Sequence, residues 1–287
     1  MEKAERETNG GFGQTFAKIT ASVKVCPGVQ GIVLGGSQVT GTAGPDSDLD
    51  VGVYYDWETL DLEQLNAIAW SLDDKHRENL VCPEGGWGPW VNCGGWLIID
   101  GVPVDLILRD VSRVKKAVES AERGEFSAHY QTGHPHAFLD VMYRGELASC
   151  RLLYAKNEEF SQLKGKAEPY PAALKESLIR FFGFEAGFSC MLAEKSLSKG
   201  DFSYVAGHLF RSVSAMNQAL FALNGQWCLN EKKAALRVDA FVKAPENYSQ
   251  RVNRVFRSLG GSPETAVRLL QELCGEMRKL CAPYLDS

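Results

Sequence analysis

Hydrophobic positions recur with two different periods along the chain, and the change of period divides it. In the first third the apolar runs are short. Val29–Leu34 reads as a buried strand ending at Gly35-Gly36-Ser37, and Leu49–Tyr55 reads as a second. Trp96–Ile99 and Val102–Leu108 flank Asp100-Gly101, a turn dipeptide that favours hairpins. Phe16, Ile19 and Val23 predict a helix over 14–25, and Leu62, Leu65, Ile68, Ala69 and Leu72 predict another over 60–72. From about Val111 the helical period takes over. Leu174, Leu178, Phe181, Phe184, Phe188 and Met191 trace one face of a long helix, closed by Gly200. Asp201 caps a helix striped by Ala206, Leu209, Val213, Met216 and Leu220. Ser262-Pro263-Glu264 starts a last one, striped by Val267, Leu270, Leu273, Met277 and Leu280. The pattern predicts an α+β protein, with a small mixed sheet and helices over 1–125 and an all-helical bundle over 126–287. The joint is expected near 124–136.

Composition adds limits. A chain of 287 residues with 45% hydrophobic and 23% charged residues is ordinary for a folded protein. No apolar run is long enough to predict a membrane span, and the polar first ten residues predict no signal peptide, so a cytoplasmic location is expected. Eight cysteines without Cys-x-x-Cys spacing read as buried free thiols. Charge is unevenly placed. Through Asp110 there are 7 basic and 17 acidic residues, and beyond it 24 basic and 19 acidic. The front repels long nucleic acid and attracts cations, while the back can attract a polyanion. The apolar stripes of the back half can pack within one chain or across a homodimer.

The informative segment is Gly35-Gly36-Ser37, then ten residues, then Asp48-Leu49-Asp50-Val51, with Asp105 further on inside Val104-Asp105-Leu106. Residues two apart in a strand share a face, so Asp48 and Asp50 project together. If the strand of Asp105 lies beside theirs, three carboxylates converge. Two such charges about 4 Å apart repel by about 4 kcal/mol at an effective dielectric near 20. A cation or a shifted pKa must relieve three. Hard oxygen donors of this kind suit Mg²⁺, which takes one or two carboxylates together with substrate phosphates. Glycines after a strand let backbone N–H groups approach a phosphate, and Ser37 adds a hydroxyl. Asp46, between Pro45 and Ser47, reads as loop, and Asp110 is expected to pair with Arg109.

This combination resembles the signature of the nucleotidyltransferase superfamily that includes DNA polymerase beta, nearest to the bacterial antibiotic and minimal nucleotidyltransferases. In the back half, Gly133-His134-Pro135-His136, Tyr143-Arg144-Gly145-Glu146-Leu147, Phe221-Ala222-Leu223-Asn224 and Leu229-Asn230-Glu231-Lys232 resemble a bacterial group of such proteins with a helical C-terminal domain. The resemblance implies a nucleotidyltransferase fold at the N-terminus. Gly36 and Ser37 would hold the triphosphate, and Asp48, Asp50 and Asp105 would be the catalytic and metal-binding carboxylates. Asp105 would be either the base or a metal ligand. One or two Mg²⁺ ions and a nucleoside triphosphate (NTP) co-substrate follow from it.

The activity implied is transfer of a nucleoside monophosphate (NMP) from an NTP to a hydroxyl of a small acceptor, an aminoglycoside-like antibiotic being one example. The alternative is nucleotidylation of a protein, as in a toxin–antitoxin regulatory pair. Lys195, Arg211 and Lys232 are the candidate nucleotide-binding cations, with Lys233 beside Lys232 a further candidate, and the basic half is expected to form a second wall of the site. Trp87, Trp90 and Trp96, set among glycines, offer a lip for a base or a cyclic acceptor. His129, His134 and His136 lack the partners of a zinc site and are expected to pack at the joint.

Overall fold

The computed structural model describes residues 12–36 and 48–285. In chain order its elements are α1 (Gly13–Val23), β1 (Val29–Leu34), β2 (Leu49–Tyr55), α2 (Leu62–Leu72), β3 (Cys93–Ile99), β4 (Val102–Asp110), α3 (Val111–Glu122), β5 (Ala128–His129), β6 (Phe138–Leu139), α4 (Val141–Ser149), β7 (Arg151–Ala155), α5 (Glu158–Ala167), α6 (Ala172–Ser196), α7 (Phe202–Leu223), α8 (Ala234–Val238), α9 (Tyr248–Leu259) and α10 (Pro263–Leu285). They form two compact units, Met1–Val118 with Tyr143–Pro169, and Glu119–Met142 with Tyr170–Ser287. None of the described helices is long and apolar enough to cross a membrane.

The first unit is built on a five-stranded mixed sheet in the order β3-β4-β2-β1-β7. Only β2 and β4 run parallel; the other neighbours are antiparallel. Alternation sorts the side chains. Leu49, Val51 and Val53 on β2 and Val104, Leu106 and Leu108 on β4 are buried on one face. There they meet Phe16, Ile19 and Val23 of α1 and Leu65, Ala69 and Leu72 of α2 in one core. The side chain of Asp61 accepts the N–H of Gln64 at 2.9 Å and so caps α2. On the other face Tyr54 packs against Phe160 of α5, with ring centroids 5.2 Å apart.

Two expectations are corrected here. The helical period predicts no strand after Val111, yet β7 pairs with β1. As an edge strand of five residues it buries no side chain fully, so it shows no alternation. A single boundary at 125/126 is also predicted, whereas Tyr143–Pro169 group with the first unit. Arg144 shows why. Its guanidinium is fully buried and donates to the carbonyls of Val118, Lys166, Ala167 and Pro169 at 2.8–3.2 Å.

In the second unit α6 and α7 are tied by the buried Ser212 hydroxyl, which donates to the Ala186 carbonyl at 2.8 Å. Tyr248 of α9 donates to Asn217 of α7 at 2.9 Å, and Arg251 of α9 forms a two-pronged pair with Glu276 of α10. The face of α6 is another correction. Leu174 and Leu178 are buried, but Phe181, Phe184 and Phe188 are exposed. The buried arc continues through Phe182, Ala186, Cys190 and Ala193. A spacing of four residues follows the inner arc, and the intervening threes lead off it. Six of the eight cysteines are buried, and all eight are free.

The four carbonyls around Arg144 give the first prediction. Arg144→Ala removes the donor and leaves buried acceptors without it, at a cost of about 3 kcal/mol or more. Arg144→Lys recovers only part, because one ammonium cannot span four carbonyls. Urea unfolding of the three proteins measures both differences; equal midpoints would contradict this account.

Candidate active site

Backbone register brings the predicted carboxylates together. In the parallel β2–β4 pair Asp50 stands opposite Asp105, and Leu49 stands opposite Val104. The two aspartates therefore lie side by side on the face away from the core. Asp50 and Asp105 are half-buried, and Asp48, just before β2, is exposed. Burial, then the charge of Asp50, then that of Asp48, push the Asp105 carboxyl from 3.8 up to about 6.

Gly36 completes this end. Gly35 N–H donates to the Asp50 carbonyl at 2.8 Å, which places the end of β1 against Asp50. Gly36 follows with φ +64°, and a Cβ there would fall within the Asp50 carboxylate. Only glycine fits both the backbone and the space. Ser37 and Asp46 lie outside the described residues.

Further along the same face of β4 the charge problem is solved differently. Arg109, four residues beyond Asp105, is buried and donates to both Glu146 carboxylate oxygens at 2.6 and 2.8 Å. A third bond reaches the Val91 carbonyl at 2.6 Å, and the Tyr143 ring lies 5.6 Å away. Burial alone would lower the arginine's pKa; Glu146 outweighs it and holds the guanidinium above its ordinary value. Asp110 is not its partner, a correction with a simple cause: adjacent strand residues face opposite ways. Asp110 instead accepts the Ser112 N–H at 2.7 Å. A lone arginine on the Asp105 face of a strand signals a buried partner; its distance of 37 residues is what spacing cannot reveal.

The three candidate cations lie in the second unit. Lys195 is exposed on α6, Lys232 is exposed just before α8, and Arg211 of α7 is paired with Glu185. The histidines make their contacts within the second unit. Glu231 accepts the backbone N–H groups of His136 and Ala137 at 3.0 and 3.2 Å and lies 3.4 Å from the His134 ring. His129 shares a 2.8 Å hydrogen bond with Ser127.

Among the described residues no group of three or more His, Cys, Asp or Glu side chains is arranged to hold a metal ion by itself. A carboxylate pair in register with a third carboxylate nearby, beside a glycine that admits no side chain, is instead a partial oxygen shell. That donor set fits Mg²⁺, which favours one or two carboxylates plus substrate phosphates over an all-protein cage.

Comparison with known proteins gives the following. Residues 18–85 match the family model of the nucleotidyltransferase domain, a stretch holding Gly36, Asp48 and Asp50. Over that stretch the chain is similar to the nucleotidyltransferase domain. Two solved structures are also similar. One is a nucleotidyltransferase-like protein from Exiguobacterium sibiricum 255-15, 12% identical, with 95% of this chain and 75% of that one covered and a TM-score of 0.44. The other is the Elizabethkingia meningoseptica CdnE cyclic dinucleotide synthase, solved with GTP and Apcpp, 13% identical, with 96% and 91% covered and a TM-score of 0.27. No curated protein matches.

The Asp105 shift carries a signed prediction for protein kept metal-free with chelator. A folded pKa above the unfolded one gives stability that is complete below about pH 4 and is lost as pH rises through about 6. Asp105→Asn removes that loss. Thermal unfolding is expected to show the variant equal to the parent near pH 4 and more stable by about 1–2 kcal/mol at pH 8, after discounting for solvent screening. A gap that is constant across this range would show that neither burial nor the neighbouring carboxylates raise the Asp105 pKa.

Proposed function

We propose that this chain transfers an NMP from an NTP to a hydroxyl of a small acceptor, with release of pyrophosphate. The observation that supports it best is the register of Asp50 beside Asp105 with Gly36 against Asp50. In this reading Gly36, free of a side chain and left-handed, lets phosphate oxygens approach the backbone at the end of β1. Asp48, Asp50 and Asp105 would hold Mg²⁺, which when bound supplies countercharge for the triphosphate and its leaving group.

The acceptor oxygen forms the new bond to the α-phosphorus while the bond from that phosphorus to the bridging oxygen breaks. Pyrophosphate leaves with that electron pair, and the hydroxyl proton passes to the solvent-connected carboxylate face. The protein's part is positioning and electrostatics, because phosphoryl transfer needs little covalent help. The acidic face disfavours a polyanionic acceptor such as long nucleic acid and suits a small hydroxylated one, an aminoglycoside-like antibiotic being within that class.

Pyrophosphate release from each of the four NTPs with Mg²⁺ and a panel of hydroxylated acceptors tests this. Asp50→Asn is expected to lower turnover at least about a hundredfold, the usual scale for losing one electrostatic group. Titration calorimetry with an α,β-methylene NTP separates binding from chemistry. The proposal fails if the parent binds no Mg²⁺–NTP, or if Asp50→Asn and Asp105→Asn leave binding and turnover unchanged.

A further inference from the structure

Register extends the carboxylate row by one strand. On β3, Trp96 stands opposite Asp105, so Gly35, Asp50, Asp105 and Trp96 follow one another across four strands. Neighbouring strands are about 4.8 Å apart, which sets the indole immediately beyond Asp105 on the side away from the glycines. Trp96 is 61% exposed, unusual for so large an apolar side chain in a strand.

It is not loosely held. The Trp87 ring stacks on it, with centroids 4.8 Å apart and planes 23° apart. Gly94, on the same face of β3, makes room, since the Trp87 ring lies where a Cβ would be. The segment carrying Trp87 is fixed from below. Asn92, buried with φ +75°, donates its side-chain amide to the Tyr55 hydroxyl at 2.7 Å. Its side-chain oxygen accepts the Gly85 N–H at 3.1 Å, and its carbonyl accepts the Trp87 N–H at 2.8 Å. Trp87 thus covers and supports one face of the Trp96 indole, which stands next to Asp105 in register.

We propose that the Trp87–Trp96 pair is the acceptor platform: a planar, non-anionic ring stacks on Trp96 and presents its hydroxyl at Asp105. This rests on the nucleotidyltransferase reading above. The order of the row assigns the platform to acceptor rather than donor, since the triphosphate end is at Gly36 and Trp96 lies on the far side of Asp105. The flat π surface selects a planar ring, worth roughly ten- to a hundredfold in affinity for one stacked base. Asp48, Asp50 and Asp105 on the same face select against phosphate on that ring. Trp96 is a positioning and specificity residue here, and Trp87 holds it in place.

Adenosine joins a planar ring to free hydroxyls without charge and serves as the probe, with AMP as its charged counterpart. Each is titrated calorimetrically into protein saturated with Mg²⁺ and α,β-methylene-ATP, and again without the triphosphate. The expected result is that adenosine binds the saturated protein and AMP binds it more weakly. Trp96→Ala is expected to weaken adenosine at least tenfold, and Trp96→Phe, which keeps a ring, less than threefold. Both variants should hold α,β-methylene-ATP within twofold of the parent. Equal adenosine affinity in parent and Trp96→Ala overturns the platform, as does no adenosine binding by the parent. A loss of α,β-methylene-ATP affinity in Trp96→Ala overturns its assignment to the acceptor. If the parent binds adenosine through Trp96 but no Mg²⁺–NTP, it is the nucleotidyltransferase reading that falls, a separate outcome.

Discussion

The parallel register between β2 and β4 is the constraint on which the site depends. Side-chain direction alternates along a strand, so a slip of one residue would turn Asp50 into the core and Leu49 out of it. Six buried aliphatic residues on these two strands oppose such a slip. Each contributes about 1.5–3 kcal/mol by burial, against about 4 kcal/mol for two close carboxylates at a surface-like dielectric. The core therefore wins, and Asp50 and Asp105 are held together against their own repulsion. Burial first, and then that repulsion, raise the Asp105 pKa to about 6.

One strand face carries two opposite answers to buried charge. At its far end Arg109 is met by Glu146 within the chain, with both carboxylate oxygens engaged. At its near end Asp105 is met by another carboxylate. A sequence selected only for stability would neutralise both ends alike, because like charges side by side on a sheet are destabilising. The near end makes physical sense as a place that a cation and phosphates complete, and this is why the functional reading rests on the near end and not on the larger salt bridge.

Much of this unit was readable from spacing. Val29–Leu34 and Leu49–Tyr55 form strands over the predicted residues, because continuous and alternating apolar runs are strong signals when turns bound them. The strand positions of Asp50 and Asp105 were readable because each has apolar neighbours on both sides, while Asp48 falls just before β2. Their mutual register was not, since parallel pairing joins residues 55 apart through contacts that no local pattern encodes. The edge strand β7 escaped for lack of a buried face, and the aromatic side of α6 was misread because threes and fours both satisfy a helical stripe. The Trp87–Trp96 stack depends on Gly94 giving way beneath a ring, a complementarity visible only in three dimensions.

The acidity of the front of the chain takes a different meaning once its members are placed. Much of it is absorbed by local structure. Asp61 caps α2, and Asp74 accepts the N–H groups of Asp100 and Gly101 at the β3–β4 turn. Asp73 is held well below the usual carboxylate range by Arg77 and by the Ile98 N–H, and Lys18 likewise lowers Asp100. Glu84 meets Arg113, and Asp110 closes the turn into α3. In each case a donor or a cation stabilises the charge that the side chain carries. Asp105 differs in kind, because both named charges acting on it, Asp50 and Asp48, have its own sign. Net charge could not separate these roles, since a capping carboxylate and a repelled one count the same. What separates them is the sign of the surroundings, and by that criterion the proposed chemistry of this unit belongs where β2 and β4 run side by side.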